Sequence, residues 1–186
     1  MRLPPPLIEN LSRRLIRALI DAHVISSDHP ERTIEKVERL ITTDLSVEDD
    51  IMEEARLLLL EHQAEIKDSD LEYHTLIAKA KGQIANKRGY ILSSGPGKLS
   101  REKQHDLARQ VVNLLLRDDD VEYYLQDREF HPAVQKAFER EMARDAQREE
   151  KARQKVLNIK RHIPEESSEF HALFQQFYKE LLDKES

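Results

Sequence analysis

The sequence predicts an all-α protein: two homologous three-helix units in tandem, each with a long middle helix, packed as a pseudo-twofold helical bundle. Three observations predict it. Gly occurs only 4 times in 186 residues while 35% of the chain is charged, which favours helices over sandwiches or Gly-rich nucleotide folds. Apolar residues recur at helical spacing. The chain also repeats itself at a nearly constant offset, the signature of a duplicated unit.

The repeat sets the boundaries. Arg2-Leu3 aligns with Lys98-Leu99, Leu11 with Leu107, Arg13 with Arg109 and Leu19 with Leu115, all at an offset of 96. One residue is then gained. At an offset of 97, Val24 aligns with Val121, Val37 with Val134, Ala55-Arg56 with Ala152-Arg153 and Ile66 with Ile163. The same offset aligns Glu72-Tyr73-His74-Thr75-Leu76 with Glu169-Phe170-His171-Ala172-Leu173. Between the copies, Ser93-Ser94-Gly95-Pro96-Gly97 reads as a linker. The units are therefore 1–92 and 98–186. Their net charges are −4 and −2, so neither is a basic domain.

In the first unit Pro4 to Pro6 lead into a helix whose face carries Leu7, Leu11, Leu15, Ala18, Leu19 and Ala22. In the second, Ser100 caps a helix with Leu107, Val111, Leu114 and Leu115, ended by Asp118-Asp119-Asp120. The first middle helix runs from about Pro30 to His62 with a stripe of Ile34, Val37, Leu40 and Ile41. Thr42-Thr43 and Ser46 mark a break within it. The second runs from about Pro132 to Arg161. Its centre, Glu139 to Lys151, is polar nearly all round, as in a helix that bridges packed regions or is held by ion pairs. The last helices start at Ser69, with Glu72 completing a capping box, and at Ser167. Phe170, Leu173, Phe174, Phe177, Tyr178 and Leu181 give the final helix a broad apolar face, which reads as core.

The totals exclude several chemistries. There is no Cys, so disulfides, thiolate metal sites and a Cys nucleophile are absent, in keeping with a reducing cytoplasm. No window approaches 18 uncharged apolar residues, so no membrane span is expected. Arg13, Arg14 and Arg17 interrupt the apolar N-terminal stretch, which does not read as a secretory signal. Phosphate loops and nucleophile elbows are lacking. His23, His29, His62, His74, His105, His131, His162 and His171 are scattered without ligand spacing, so no metal or other cofactor is expected. His74 and His171 share a repeat position and are the pair of most interest.

The end of the second copy carries a more particular pattern: Lys160-Arg161-His162-Ile163-Pro164-Glu165, Ser167, Glu169-Phe170, Leu173-Phe174, Phe177-Tyr178 and Glu180-Leu181. It resembles the bacterial domain of unknown function 507 family. The starts of both copies, Arg2-Leu3 and Lys98-Leu99-Ser100, resemble that family's start, and the second copy follows the pattern more closely. Glu166 stands where the family usually has Gly, Phe170 where it has Trp and His171 where it has Asp. The resemblance implies a short helical protein and offers no catalytic residue to carry over.

One charged pattern stands out. Lys136, Arg140, Arg144, Arg148, Lys151 and Lys155 keep to one side of a helix. Glu141, Asp145 and Glu149 run alongside and dilute the field, so the stripe reads first as a salt-bridged solvent face. The leading functional reading is a non-enzymatic helical module of the bacterial cytoplasm that docks a protein partner. The alternative is a nucleic-acid-associated protein using the stripe at 136–155. A second alternative is an enzyme with its site between the two units. The sequence leaves a homo-oligomer open.

Overall fold

The computed structural model describes residues 3–62, 73–93, 99–159, 161 and 163–185. Among them are six helices, α1 (Pro5–Asp21), α2 (Pro30–Glu61), α3 (Tyr73–Arg88), α4 (Arg101–Leu115), α5 (Asp127–Leu157) and α6 (Ser168–Glu185). A short ladder, β1 (Ile25–Ser27) and β2 (Val121–Tyr123), completes the fold. The fold is all-α, as expected; the ladder was not expected from the sequence.

The helices pack crosswise. α1 lies against α2 and also against α5, and α4 lies against α5 and also against α2. α3 packs on α2, and α6 on α5. One core results, drawing Leu11, Leu15 and Leu19 from α1 and Val37, Ile41 and Leu45 from α2. Leu107, Val111 and Leu115 enter it from α4, and Phe130, Val134 and Phe138 from α5. Smaller clusters close the far ends of the long helices: Ile51, Ala55, Ala80 and Ile84 at one, Val156, Ile163 and Phe170 at the other.

β1 and β2 pair antiparallel, with Ser26 opposite Glu122. Beyond the ladder, Tyr124 N donates to Val24 O at 3.0 Å and Asp28 N to Asp120 O at 3.0 Å. These two bonds exchange when 96 is added to one residue and subtracted from the other. The ladder thus follows an offset of 96, where the sequence predicts 97 from Val24 onward.

Helix ends follow their chemistry. Ser100 and Ser167 cap as expected, accepting from Lys103 N at 3.0 Å and Phe170 N at 3.1 Å. α1 closes with Val24 N donating to Leu19 O and His23 N to Ile20 O, which forces His23 to a φ of 54°. α3 closes the same way with Gly89 at a φ of 62°, where a residue without Cβ is at ease.

Several expectations are corrected. α2 is continuous through Thr42, Thr43 and Ser46: the Ser46 hydroxyl donates to Thr43 O at 2.8 Å, a side-chain bond that leaves the helix intact. α5 begins five residues before Pro132, which the first turns accommodate. Ser69, Glu72 and all of the 93–97 linker except Ser93 lie outside the described residues.

One polar cluster of the interior lies between α2 and α4. Lys103 is 0% exposed, and its Nζ lies 2.5 Å from Asp44 Oδ2 and 3.4 Å from Asp106 Oδ2. The Tyr90 ring, delivered by the Gly89 turn, lies 3.9 Å from the ammonium. Gln110 donates to Asp44 at 2.8 Å, and the Tyr90 hydroxyl donates to Asp44 O at 3.0 Å. Burial, and then the Asp44, Glu48 and Asp106 carboxylates, hold the Tyr90 phenol above its ordinary range. One turn on from Asp44, buried Glu48 meets Lys81 at 3.3 Å and accepts from Ser93 N at 3.1 Å. At the other end of this groove Lys36 bonds Asp118 at 2.6 Å and Asp120 at 3.1 Å. It thereby offsets the acids that follow α4.

Because both halves build one core, residues 98–186 expressed alone are expected to self-associate or melt without cooperativity, as circular dichroism and sedimentation would show. A monomer with a cooperative melt would contradict shared packing.

Candidate anion-binding groove

α5 buries Phe130, Val134, Phe138, Glu141, Asp145, Arg148, Ala152 and Val156, a seam stepping by three or four residues. Three successive seam positions, Glu141, Asp145 and Arg148, are ionisable. This explains the polar centre of the helix: of the two expected readings, the ion-paired one fits, with Glu141, Asp145 and Arg148 buried and the rest of the stretch largely exposed. Glu141 accepts from Arg144 at 2.8 Å and lies 3.5 Å from Arg140. Asp145 accepts from Arg148 at 3.3 Å and from the Tyr178 hydroxyl of α6 at 2.6 Å. Burial first, and then this bond, raise the Tyr178 phenol above its ordinary range.

The predicted stripe is divided by these contacts. Arg148 is 4% exposed at its side chain and belongs to the seam, contrary to the solvent-face reading. Lys155 turns toward α6, 5.3 Å from the Phe177 ring and 4.0 Å from Glu180. Lys136 is exposed at the start of the stripe. Arg140, Arg144, Arg148 and Lys151 face α1 across a groove.

α1 supplies the other wall. Among the described residues, Arg14, Arg144, Gln147, Arg148 and Lys151 line a cavity of about 430 Å³, and no carboxylate joins them. Arg14 and Arg144 also border an adjoining cavity of about 450 Å³, with Arg17, Arg140, Glu141 and Asp21. Ala18 and Ala22, expected on the apolar face of α1, instead line this second cavity. Their small side chains leave room between the arginines. Glu149, counted from the sequence as diluting the stripe, lines a cavity on the opposite flank of α5 with Arg101, His105 and Glu139.

The sequence reading missed Arg14 and Arg17 as partners of the stripe, because nothing in the spacing says that α1 crosses to α5. It also missed the buried acids. Their signal was present: Asp44 and Glu48 align with Glu141 and Asp145 at the offset of 97. His74 and His171 are both exposed, and among the described residues no group of three or more His, Asp or Glu could hold a metal. Among the same residues no helix is long and apolar enough to cross a membrane.

The whole chain, residues 1–186, matches the family described as Protein of unknown function (DUF507). The chain belongs to the DUF507 family. No curated protein matches it. In this DUF507 protein the terminal pattern that carried the resemblance seats α6. Ser167 caps the helix, Ile163 and Phe170 close the outer cluster, and Tyr178 reaches Asp145 beneath the groove. Phe174 and Phe177 are partly buried against the same cores, so the aromatic face is packing surface, as expected.

Two members of the stripe should therefore behave differently on truncation. Arg148→Met leaves Asp145 buried with one partner fewer and should cost about 3–5 kcal/mol in urea unfolding. Lys136→Ala should change stability by no more than about 0.5 kcal/mol. Equal effects would return Arg148 to the surface.

Proposed function

We propose that this DUF507 protein is a non-enzymatic helical binding module that grips the phosphate backbone of a nucleic acid between α1 and α5. The observation that carries the reading is the cavity lined, among the described residues, by Arg14, Arg144, Gln147, Arg148 and Lys151. Arginine is suited to phosphate through its planar fork of donors. Arg140, Arg144 and Arg148 follow one another every helical turn, about 6 Å, on the scale of successive phosphates. With a net charge of −6 the remainder of the surface repels polyanions, so contact would be confined to the groove. Among the described residues no aromatic side chain lines it, which fits backbone contact without base reading.

We propose further that the two halves, 1–92 and 98–186, are copies of one unit packed about a pseudo-twofold axis. The exchanging bonds beside the ladder and the crosswise contacts support this. So do Glu48 with Lys81 and Asp145 with Tyr178, pairs in which both members are 97 residues apart. On that reading the α1–α5 groove and the α2–α4 groove are counterparts. Gln110 and Asn113 stand in one where Arg14 and Arg17 stand in the other.

A second reading, a protein-docking module, is favoured by a different observation. Leu57, Leu58 and Leu60 near the end of α2 are exposed, as is Tyr73 at the start of α3.

Fluorescence anisotropy with a labelled single-stranded oligonucleotide tests the first reading. Binding should weaken with salt at a log–log slope of roughly −2 to −3, the value for three or four phosphate contacts. The double variant R144E/K151E should abolish it. No binding at low salt would overturn the proposal. Capture of an acidic protein that the same double variant abolishes would do so too, by moving the groove to a protein partner.

A further inference from the structure

The ladder sets an exposed ring at one end of the α1–α5 groove. Tyr124, one residue past β2, is 59% exposed. Its N donates to Val24 O at 3.0 Å. Val24 is two residues from Ala22, which lines the outer cavity with Arg17, Arg140 and Arg144. Two residues span at most about 8 Å, so the tyrosine backbone is tied to the edge of that cavity. The side chain is tied as well: its hydroxyl donates to Ser26 Oγ at 2.8 Å. A ring held at both ends is oriented before a ligand arrives, so little ordering cost remains at binding.

Its neighbour Tyr123 has a different role. Successive residues of a strand point to opposite faces. Tyr123 leans on buried Phe130, with ring centroids 5.5 Å apart, and belongs to the packing of α5. Tyr124 turns the other way, toward Ser26. The two grooves differ here too. On the pseudo-twofold reading, Asp28 is the counterpart of Tyr124 at an offset of 96, and its N donates to Asp120 O beside the α2–α4 groove. A ring therefore accompanies the groove that carries Arg17, and a carboxylate accompanies the groove that carries Asn113 in its place. A ring face beside a cationic groove is the combination that binds single-stranded nucleic acid: the groove follows the backbone, and bases stack on the ring whatever their sequence.

We infer that Tyr124 is a stacking platform for a base of a single strand whose backbone lies in the α1–α5 groove. This rests on the groove being a nucleic-acid surface. A strand leaving the outer cavity past Arg140 and Ala22 meets the Tyr124 ring next, and its base covers the exposed face. A base inside a duplex is already stacked on its neighbours and reaches the ring only by being extruded at a cost, so the site selects single strands.

The test uses the full-length protein and two labelled 12-mers, one of thymidines and one of abasic residues with the same phosphates. The thymidine strand should bind about tenfold tighter, the effect of one base stacked on an aromatic ring. Tyr124→Ala should bring that ratio toward one and leave the salt dependence unchanged, because stacking releases no counterions. Tyr124→Phe, which keeps the ring and loses the hydroxyl, should retain most of the ratio. If Tyr124→Ala fails to fold, Tyr124→Leu is read in its place. An unchanged ratio in the variant without a ring would overturn the assignment to Tyr124. Equal affinity for the two strands in the unaltered protein would overturn stacking while leaving the groove as a backbone surface. Failure of both strands to bind would overturn both readings.

Discussion

A buried ammonium fixes how the two halves of the bundle meet. Lys103 comes from α4, and its principal partner, Asp44, comes from α2 in the other half. Withdrawing both charges from water costs several kcal/mol per ion, and their mutual attraction offsets this only with good geometry and further bonds. The site supplies them: Gln110 on the carboxylate and the Tyr90 ring against the ammonium. A slide of one helical turn between α2 and α4 would strand both charges in an apolar core. The interaction therefore sets register more than it adds stability. Glu48, one turn along, extends the same constraint to α3 through Lys81 and to the chain at Ser93.

The charge of the α1–α5 groove follows from the same placement of acids on the other long helix. α2 places Asp44 and buried Glu48 four residues apart, as α5 places Glu141 and Asp145. On α2 those acids are met by Lys103, Gln110 and Lys81, which end their contacts inside the protein. On α5 they are met by Arg144, Arg148 and Tyr178. An arginine offers five donors, so one committed to a buried carboxylate still has others to present outward. Small residues at Ala18 and Ala22 then keep the groove open.

Much of the fold was legible because helical periodicity is a local signal. The apolar stripes, the Ser100 and Ser167 caps and the aromatic face of α6 all depend on residues within a turn or two of each other. The ladder was not legible: three-residue strands carry too little pattern, and β1 and β2 gain partners only once the halves are packed. The site was half legible. Arg140, Arg144 and Lys151 were visible as a stripe. Arg148 was misplaced, because a charged residue reads as solvent-facing unless its buried partner is known. Arg14 and Arg17 joined the site only through crosswise packing, and spacing within one helix carries no information about which helix lies opposite.

The most direct measurement is an NMR titration of ¹⁵N-labelled protein with a single-stranded oligonucleotide, following arginine Nε–Hε and backbone amide signals together. Shifts gathered on Arg14, Arg140, Arg144 and Arg148, with the α2–α4 groove unmoved, are the predicted result. Shifts gathered at Leu57 to Leu60, spread over both grooves, or absent altogether would contradict an anion-binding role for the α1–α5 groove.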